Sequence, residues 1–193
     1  MFIVICPGIH APELTQEFIQ GLNATSSYVN NFLVFPTHDY AVLSPLHILQ
    51  FLQSQLGDPQ QSSPAVVFIA FSAGVVGAIT AASLWQSLGG QVLALIAIDG
   101  WGVPLFGNFP LHRLSHDYFT HWSSAMLGSG SADFYAEPAV DHLTLWRSPQ
   151  NVTGCYVENS QFLLHLTAAD FVIMLLEQYR RGQRLEIACS EGS

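Results

Sequence analysis

A serine at the junction between a buried strand and a helix is the residue of this sequence best placed to do chemistry. Ser72 follows the apolar run 65–71 and opens a segment rich in Ala and Leu, so a strand is predicted to turn sharply into a helix around it. Such a turn holds the serine oxygen clear of the backbone, and it needs small residues two positions away on each side, which are Ala70 and Gly74. The amide of Ala73, at the helix start, can donate to an oxyanion. The pattern predicts a nucleophile, and an ordinary serine capping a buried helix is the alternative.

This turn resembles the nucleophile turn of the α/β-hydrolase family, specifically of its small, lidless lipases and esterases, several of which carry Ala in place of the first glycine. The segment Pro7-Gly8-Ile9-His10 stands where that family has its first oxyanion loop, so the amide of Ile9 is expected to join that of Ala73 as an oxyanion donor. The order of elements agrees over nearly the whole chain. The resemblance implies a single α/β-hydrolase domain over residues 1–193, with neither cofactor nor metal. It also implies a serine hydrolase that cleaves a carboxylic ester or thioester of a small hydrophobic substrate through an acyl-enzyme intermediate.

The resemblance further implies a triad whose acid and histidine follow the serine in that order. Among the eight histidines, His142 is the best placed, because it follows a predicted strand and precedes an apolar helix start and Ser148, as in the small lipases. His165, just before the last predicted helix, is the alternative.

Two aspartates compete for the acid. Asp117 ends the predicted strand 111–117, the position after which the family places its carboxylate, and it is the first choice. Asp99 ends a clearer strand and is the second choice. In an open parallel sheet either carboxylate would face the edge where ligands bind.

The elements that must position these residues alternate between strands and helices, a pattern typical of a parallel sheet with helices on both faces. We expect an α/β three-layer sandwich whose mostly parallel sheet has about six strands, the minimal α/β-hydrolase fold. The predicted strands cover residues 2–6, 31–35, 65–71, 91–98, 111–117 and 132–137. The predicted helices cover residues 13–22, 45–56 with Ser44 as N-cap, 73–88 and 166–181.

Charge is scarce in this chain and unevenly spread. The 193 residues include 14 acidic and 5 basic side chains, with a net charge of −9, and residues 59–98 carry neither a charge nor a histidine. Acidity argues against a nucleic-acid partner, since phosphates are bound by clustered Lys and Arg. The run 65–85 is long enough to cross a bilayer, but its β-branched first half and Ala-rich second half favour a buried strand and helix over an integral membrane segment.

No signal-like segment opens the sequence, so we expect a cytoplasmic protein. Cys6, Cys155 and Cys189 are odd in number and widely spaced, which fits neither a disulfide framework nor a zinc motif. The sequence does not indicate an oligomeric state.

Two other functions compete with the hydrolase. His112, His116 and His121, with Asp117 among them, could bind a metal, although such segments are more often polar surface. A non-catalytic binding protein of the same fold is the second rival, because a fold alone does not confer chemistry.

Overall fold

The computed structural model describes residues 1–25, 31–38, 41–61, 64–128, 130–158 and 161–191, with side chains described as far as residue 183. Cys189 therefore lies outside the described side chains. The strands are β1 (Phe2–Cys6), β2 (Phe32–Val34), β3 (Val66–Phe71), β4 (Val92–Ile98), β5 (Leu111–Ser115), β6 (Ala132–Ala136), β7 (Thr153–Glu158) and β8 (Gln161–Thr167). The α-helices are α1 (Pro12–Thr25), α2 (Pro45–Leu56), α3 (Ala73–Ser87), α4 (Tyr118–Ala125), α5 (His142–Arg147) and α6 (Ala168–Glu191), and a short 3₁₀ helix covers Pro149–Asn151.

The strands form one mostly parallel sheet in the order β2-β1-β3-β4-β5-β6-β7-β8. The strands from β2 to β6 pair in parallel, whereas β7 and β8 are antiparallel to their neighbours. The α/β class is confirmed, but the expectation of about six strands is wrong, because β7 and β8 extend the sheet to eight strands among the described residues. Neither the β7–β8 hairpin nor helix α4 was predicted from the sequence.

Helices cover both faces of the sheet and bury the chargeless stretch between them. On one face, alternate residues of β1, β3 and β4 pack with α1, α5 and α6. On the other face, the intervening residues pack with α2 and α3. Every residue of β3 is buried between the two layers of helices, where a charged side chain would be unfavourable. This burial accounts for the absence of charged residues from the surrounding segment 59–98. Among the described helices, none combines the length and the apolar character that crossing a membrane requires.

A stack of rings connects this core to the carboxyl edge of the sheet. Trp146 of α5 is fully buried and lies between Phe18 and Phe71, with ring centroids 3.8 and 4.8 Å away and nearly parallel planes. Phe71 also stacks on His142, one helical turn before Trp146, with ring centroids 4.6 Å apart. Helix α5 is therefore fixed to β3 by two rings on one of its faces.

Replacing Trp146 with Ala is expected to lower the free energy of unfolding by about 3–5 kcal/mol, because it removes a fully buried indole and leaves a cavity. Trp122→Ala is the matched control: that side chain is 52 % exposed, so its loss should change stability by no more than about 0.5 kcal/mol. Urea denaturation followed by circular dichroism measures both. Equal costs for the two variants would contradict the proposed stack.

Candidate active site

Ser72 lies on a strained turn between β3 and α3. Its backbone dihedrals are φ 52° and ψ −121°, and a positive φ at a non-glycine residue costs of order 1–3 kcal/mol. The Ser72 N–H donates to the carbonyl of Ile98 at 2.9 Å, which ties the turn to the end of β4. The sheet therefore holds Ser72 in a conformation that an unconstrained chain would avoid.

Glycines let the neighbouring backbone approach this turn. A Cβ on Gly74 would collide with the carbonyl oxygens of Cys6 and Pro7, and one on Gly8 would lie 3.1 Å from the Cβ of Ser72. The requirement for a small residue two positions after the serine thus has a direct steric cause. The loop after β1 packs against the serine through Gly8.

Asp99, immediately after β4, is the carboxylate on which the site converges. Its side chain is 1 % exposed and its φ is 49°. Oδ1 accepts the backbone N–H of His116 at 2.9 Å. Oδ2 accepts the Nδ1–H of His116 at 2.9 Å and the Nδ1–H of His142 at 2.8 Å. A buried carboxylate requires such partners, and here three donors from two segments supply them.

His142 is the first residue of α5, and its ring is oriented by two contacts. One is the hydrogen bond to Asp99, and the other is the stacking on Phe71. Because Nδ1 donates to the carboxylate, the neutral ring has a proton-free Nε2 that can accept a proton. The helix itself begins at an N-cap, Asp141, whose carboxylate accepts the Thr144 N–H at 2.9 Å.

The structure brings Ser72, Asp99 and His142 to one cleft of about 520 Å³ at the carboxyl edge of the sheet. Within the described part of the chain, the Ser72 hydroxyl makes no hydrogen bond to His142. Catalytic hydrogen bonds are often long in ligand-free enzymes and tighten when substrate binds, so this absence by itself does not exclude proton transfer between the two residues.

Asp117, the first choice for the acid, lines the same cleft, but its carboxylate caps a helix. It is the N-cap of α4, and its carboxylate accepts the Thr120 N–H at 2.6 Å. Its nearest histidine contact is 3.7 Å, to Nε2 of His116. Asp99, the second choice, is the aspartate that His142 contacts.

The remaining candidates are divided between this cleft and more distant positions. Ala73 lines the cleft, whereas Ile9 is largely exposed in an adjoining groove with Gly8 and Leu43. His165 is on β8 and does not line the cleft. Among the described residues, no hydrogen bond uses the amide of Ile9 or Ala73, so both are free to donate to a ligand.

The proposed metal cluster of His112, His116 and His121 is not assembled. His112 is buried; its Nδ1–H donates to the Ala132 carbonyl at 2.8 Å and its Nε2 accepts the Tyr179 hydroxyl at 2.6 Å. Burial lowers the pKa of His112, which suits this neutral, fully bonded ring.

His116 is a site residue that sequence reasoning considered only as a metal ligand. It directly follows β5, the strand beside β4, and this placement brings it to Asp99. Asp99, His116 and His142 each offer one ligand atom within 4.8 Å of the others, so the trio could also hold a metal ion. In the present arrangement both Nδ1 atoms are donors to the same oxygen.

Apolar side chains form the rim of the cleft. Val76, Val103 and the largely exposed Trp101 and Phe119 line it. The segment that carries Val103 is fixed by Arg113, whose buried guanidinium donates to the Val103 carbonyl at 3.0 Å. A ligand entering this cleft would therefore meet mostly apolar surface.

The chain matches no model of a known protein family, and no curated protein matches it.

His116 is expected to make stability depend on pH. The hydrogen bond to Asp99, and then the charges of Asp99, Asp117 and Asp141, raise the pKa of His116 above its ordinary 6.5, although partial burial opposes the shift. A raised folded-state pKa stabilises the fold fully below about 6.5, and this contribution disappears as the pH rises through the folded-state pKa. The stability lost in His116→Asn should therefore be largest at acidic pH and shrink as the pH rises. Urea denaturation of both proteins across that range measures it, and a difference that grows with pH would contradict the assignment.

Proposed function

We propose that this protein is a serine hydrolase that cleaves a carboxylic ester or thioester of a small hydrophobic substrate through an acyl-enzyme intermediate. One observation carries the proposal: Ser72, on a strained strand-to-helix turn, shares a cleft with a histidine whose Nδ1–H donates to a buried carboxylate. Nucleophile, base and orienting acid form a constellation that is recognised by geometry rather than by sequence. The minimal α/β-hydrolase fold belongs to this proposal.

In the first half of the reaction, Nε2 of His142 takes the Ser72 proton while Oγ attacks the acyl carbonyl carbon. The carbonyl π electrons move to the oxygen, which becomes an oxyanion bound by the amides of Ala73 and Ile9. When the oxyanion collapses, the bond to the leaving group breaks, and His142 returns the proton to the departing alcohol or thiol. Water then attacks the acyl-serine by the same route and releases the acid.

We assign the acid role to Asp99 rather than to Asp117. The Asp99 carboxylate is buried and bonded to Nδ1 of His142, so it holds the ring and stabilises the imidazolium formed in each half-reaction. The Asp117 carboxylate is engaged with the first turn of α4. His116 also binds Asp99 and fixes the carboxylate in position for His142.

The walls of the cleft favour an apolar substrate. Trp101, Phe119, Val76 and Val103 present hydrophobic surface around Ser72. With a net charge of −9, the protein repels strongly anionic compounds. An uncharged acyl chain of modest size suits a cleft of about 520 Å³.

A non-catalytic binding protein is the second candidate. The Ser72 hydroxyl forms no hydrogen bond to His142 within the described residues, and the aromatic rim would serve a bound ligand equally well. The two candidates differ in whether Ser72 forms a covalent bond with the ligand.

Ser72→Ala is expected to lower turnover of an activated p-nitrophenyl acyl ester by about 10⁴- to 10⁶-fold, because the attacking oxygen is removed. Steady-state kinetics of wild type and variant measure the change, with circular dichroism to show that both are folded. Ser83→Ala is the matched control; its hydroxyl donates to the Ile79 carbonyl within α3, and its loss should leave turnover unchanged. If the Ser72→Ala variant retained wild-type turnover, the assignment of Ser72 as the nucleophile would be wrong.

A second pair of variants tests the choice of acid. Asp99→Asn is expected to lower kcat by about 10⁴-fold, because an amide cannot stabilise the imidazolium or hold the required tautomer. Asp117→Asn should reduce it less than about tenfold, since an asparagine side chain also caps a helix. The reverse order of effects would restore Asp117 as the acid.

A further inference from the structure

A second group of chemically reactive side chains lies where the antiparallel strands join the sheet. Tyr135 of β6 pairs with Cys155 of β7, and Cys155 pairs with His165 of β8. Directly paired residues of neighbouring strands project from the same face of a sheet. Glu137, two residues beyond Tyr135, joins them. None of these side chains lines the cleft that contains Ser72.

Three different donor atoms meet in this group. The Cys155 thiol donates to Oε2 of Glu137 at 3.0 Å and lies 3.8 Å from Nδ1 of His165. Nε2 of His165 is 4.0 Å from the same Glu137 oxygen. The thiol sulfur, a carboxylate oxygen and one of the two ring nitrogens all lie within 4.8 Å of one another.

The distances between these atoms are close to the distances between neighbouring ligand atoms around a tetrahedral zinc ion. With zinc bonds of about 2.3 Å to sulfur and about 2.0–2.1 Å to nitrogen or oxygen, neighbouring ligand atoms lie roughly 3.4–3.6 Å apart. The sulfur lies 3.0 Å from Oε2 of Glu137 and 3.8 Å from Nδ1 of His165, on either side of those values, so small side-chain rotations would bring both separations to them. The thiolate and imidazole favour zinc over calcium or magnesium, which prefer oxygen.

We propose that Glu137, Cys155 and His165 form a binding site for a zinc-class divalent cation, with water as the fourth ligand. Cys155, only 2 % exposed, forms the floor of the site. The side chains of Glu137 and His165, 60 % and 59 % exposed, form its open side, from which the ion enters. The bound ion connects the residue after β6 with β7 and β8.

Binding exchanges the thiol proton for the metal. The Cys155 S–H bond breaks, its electron pair forms the bond to the cation, and the proton passes to solvent. Burial raises the pKa of the Cys155 thiol most; a hydrogen bond with Tyr135 opposes this shift, and contact with Glu137 adds to it. The same group includes Tyr135, whose pKa is raised to about 12 chiefly by its hydrogen bond with Cys155.

The trio at the cleft is a weaker candidate for such an ion. Asp99, His116 and His142 provide no thiolate, and both rings donate their Nδ1–H to one carboxylate oxygen. A metal there would displace the hydrogen bond that orients His142. The two clusters can be separated by experiment because they share no residue.

Cobalt titration of the reduced, untagged full chain tests the site. A sulfur-to-cobalt charge-transfer band should appear and saturate at about one equivalent. The band should be absent in Cys155→Ser and retained in Cys189→Ser, the matched thiol control. A folded wild type without the band, or a Cys155→Ser variant that keeps it, would overturn the proposal.

Zinc affinity, measured by isothermal titration calorimetry, tests the two exposed ligands without endangering the core. His165→Asn and Glu137→Gln should each weaken zinc binding by at least about tenfold, the loss that even outer-shell partners of a metal can cause. Asp99→Asn should leave zinc affinity unchanged. If Asp99→Asn abolishes binding while the other two variants retain it, the ion belongs to the cleft and the proposal is wrong.

Discussion

The buried carboxylate of Asp99 is the group on which the arrangement of the cleft depends. Leaving a buried charge unpaired costs several kcal/mol, so the chain must bring donors to it. His116 supplies two and His142 supplies one, and together they link the end of β4 to the end of β5 and to the start of α5. Because the Asp99 carboxylate requires these donors, it fixes the relative positions of three segments that are separated in the sequence.

The stacked rings and the strained turn complete this support from the core side. Trp146 and His142 lie against the same ring, Phe71, whose next residue is Ser72. The positive φ of Ser72 persists because β3 is buried throughout and because Gly74 admits the carbonyls of Cys6 and Pro7. These contacts hold Ser72 and His142 in place, as the proposed electrostatic stabilisation of a transition state requires.

Local patterns in the sequence were enough to predict much of the framework. Continuous apolar runs predicted β1, β3 and β4, and Ser44 was recognised as the N-cap of α2, where its hydroxyl accepts the His47 N–H. The Ser72 turn was predictable because strand, small residues and helix are adjacent in the chain. The β7–β8 hairpin was not predicted, because β8 is an exposed edge strand without the alternation of a half-buried one.

The partner of His142 could not be predicted, because it depends on contacts that are distant in sequence. Asp99 and Asp117 both end strands at the same edge of the sheet, and only the placement of α5 determines which of them the ring meets. His116 was considered as a metal ligand because His112, Asp117 and His121 lie close to it in the sequence. Its contact with Asp99 arises from the pairing of β4 with β5, which no local pattern encodes.

The central claim is that Ser72 is a nucleophile activated by His142 and Asp99. Mass spectrometry after treatment with a fluorophosphonate probe tests it directly, since such probes react preferentially with an activated serine. We expect a single adduct that peptide mapping locates on Ser72 and that is not formed after Asp99→Asn at the same exposure. A folded wild-type protein that acquires no adduct, or one modified at another residue, would contradict the claim and favour a binding protein.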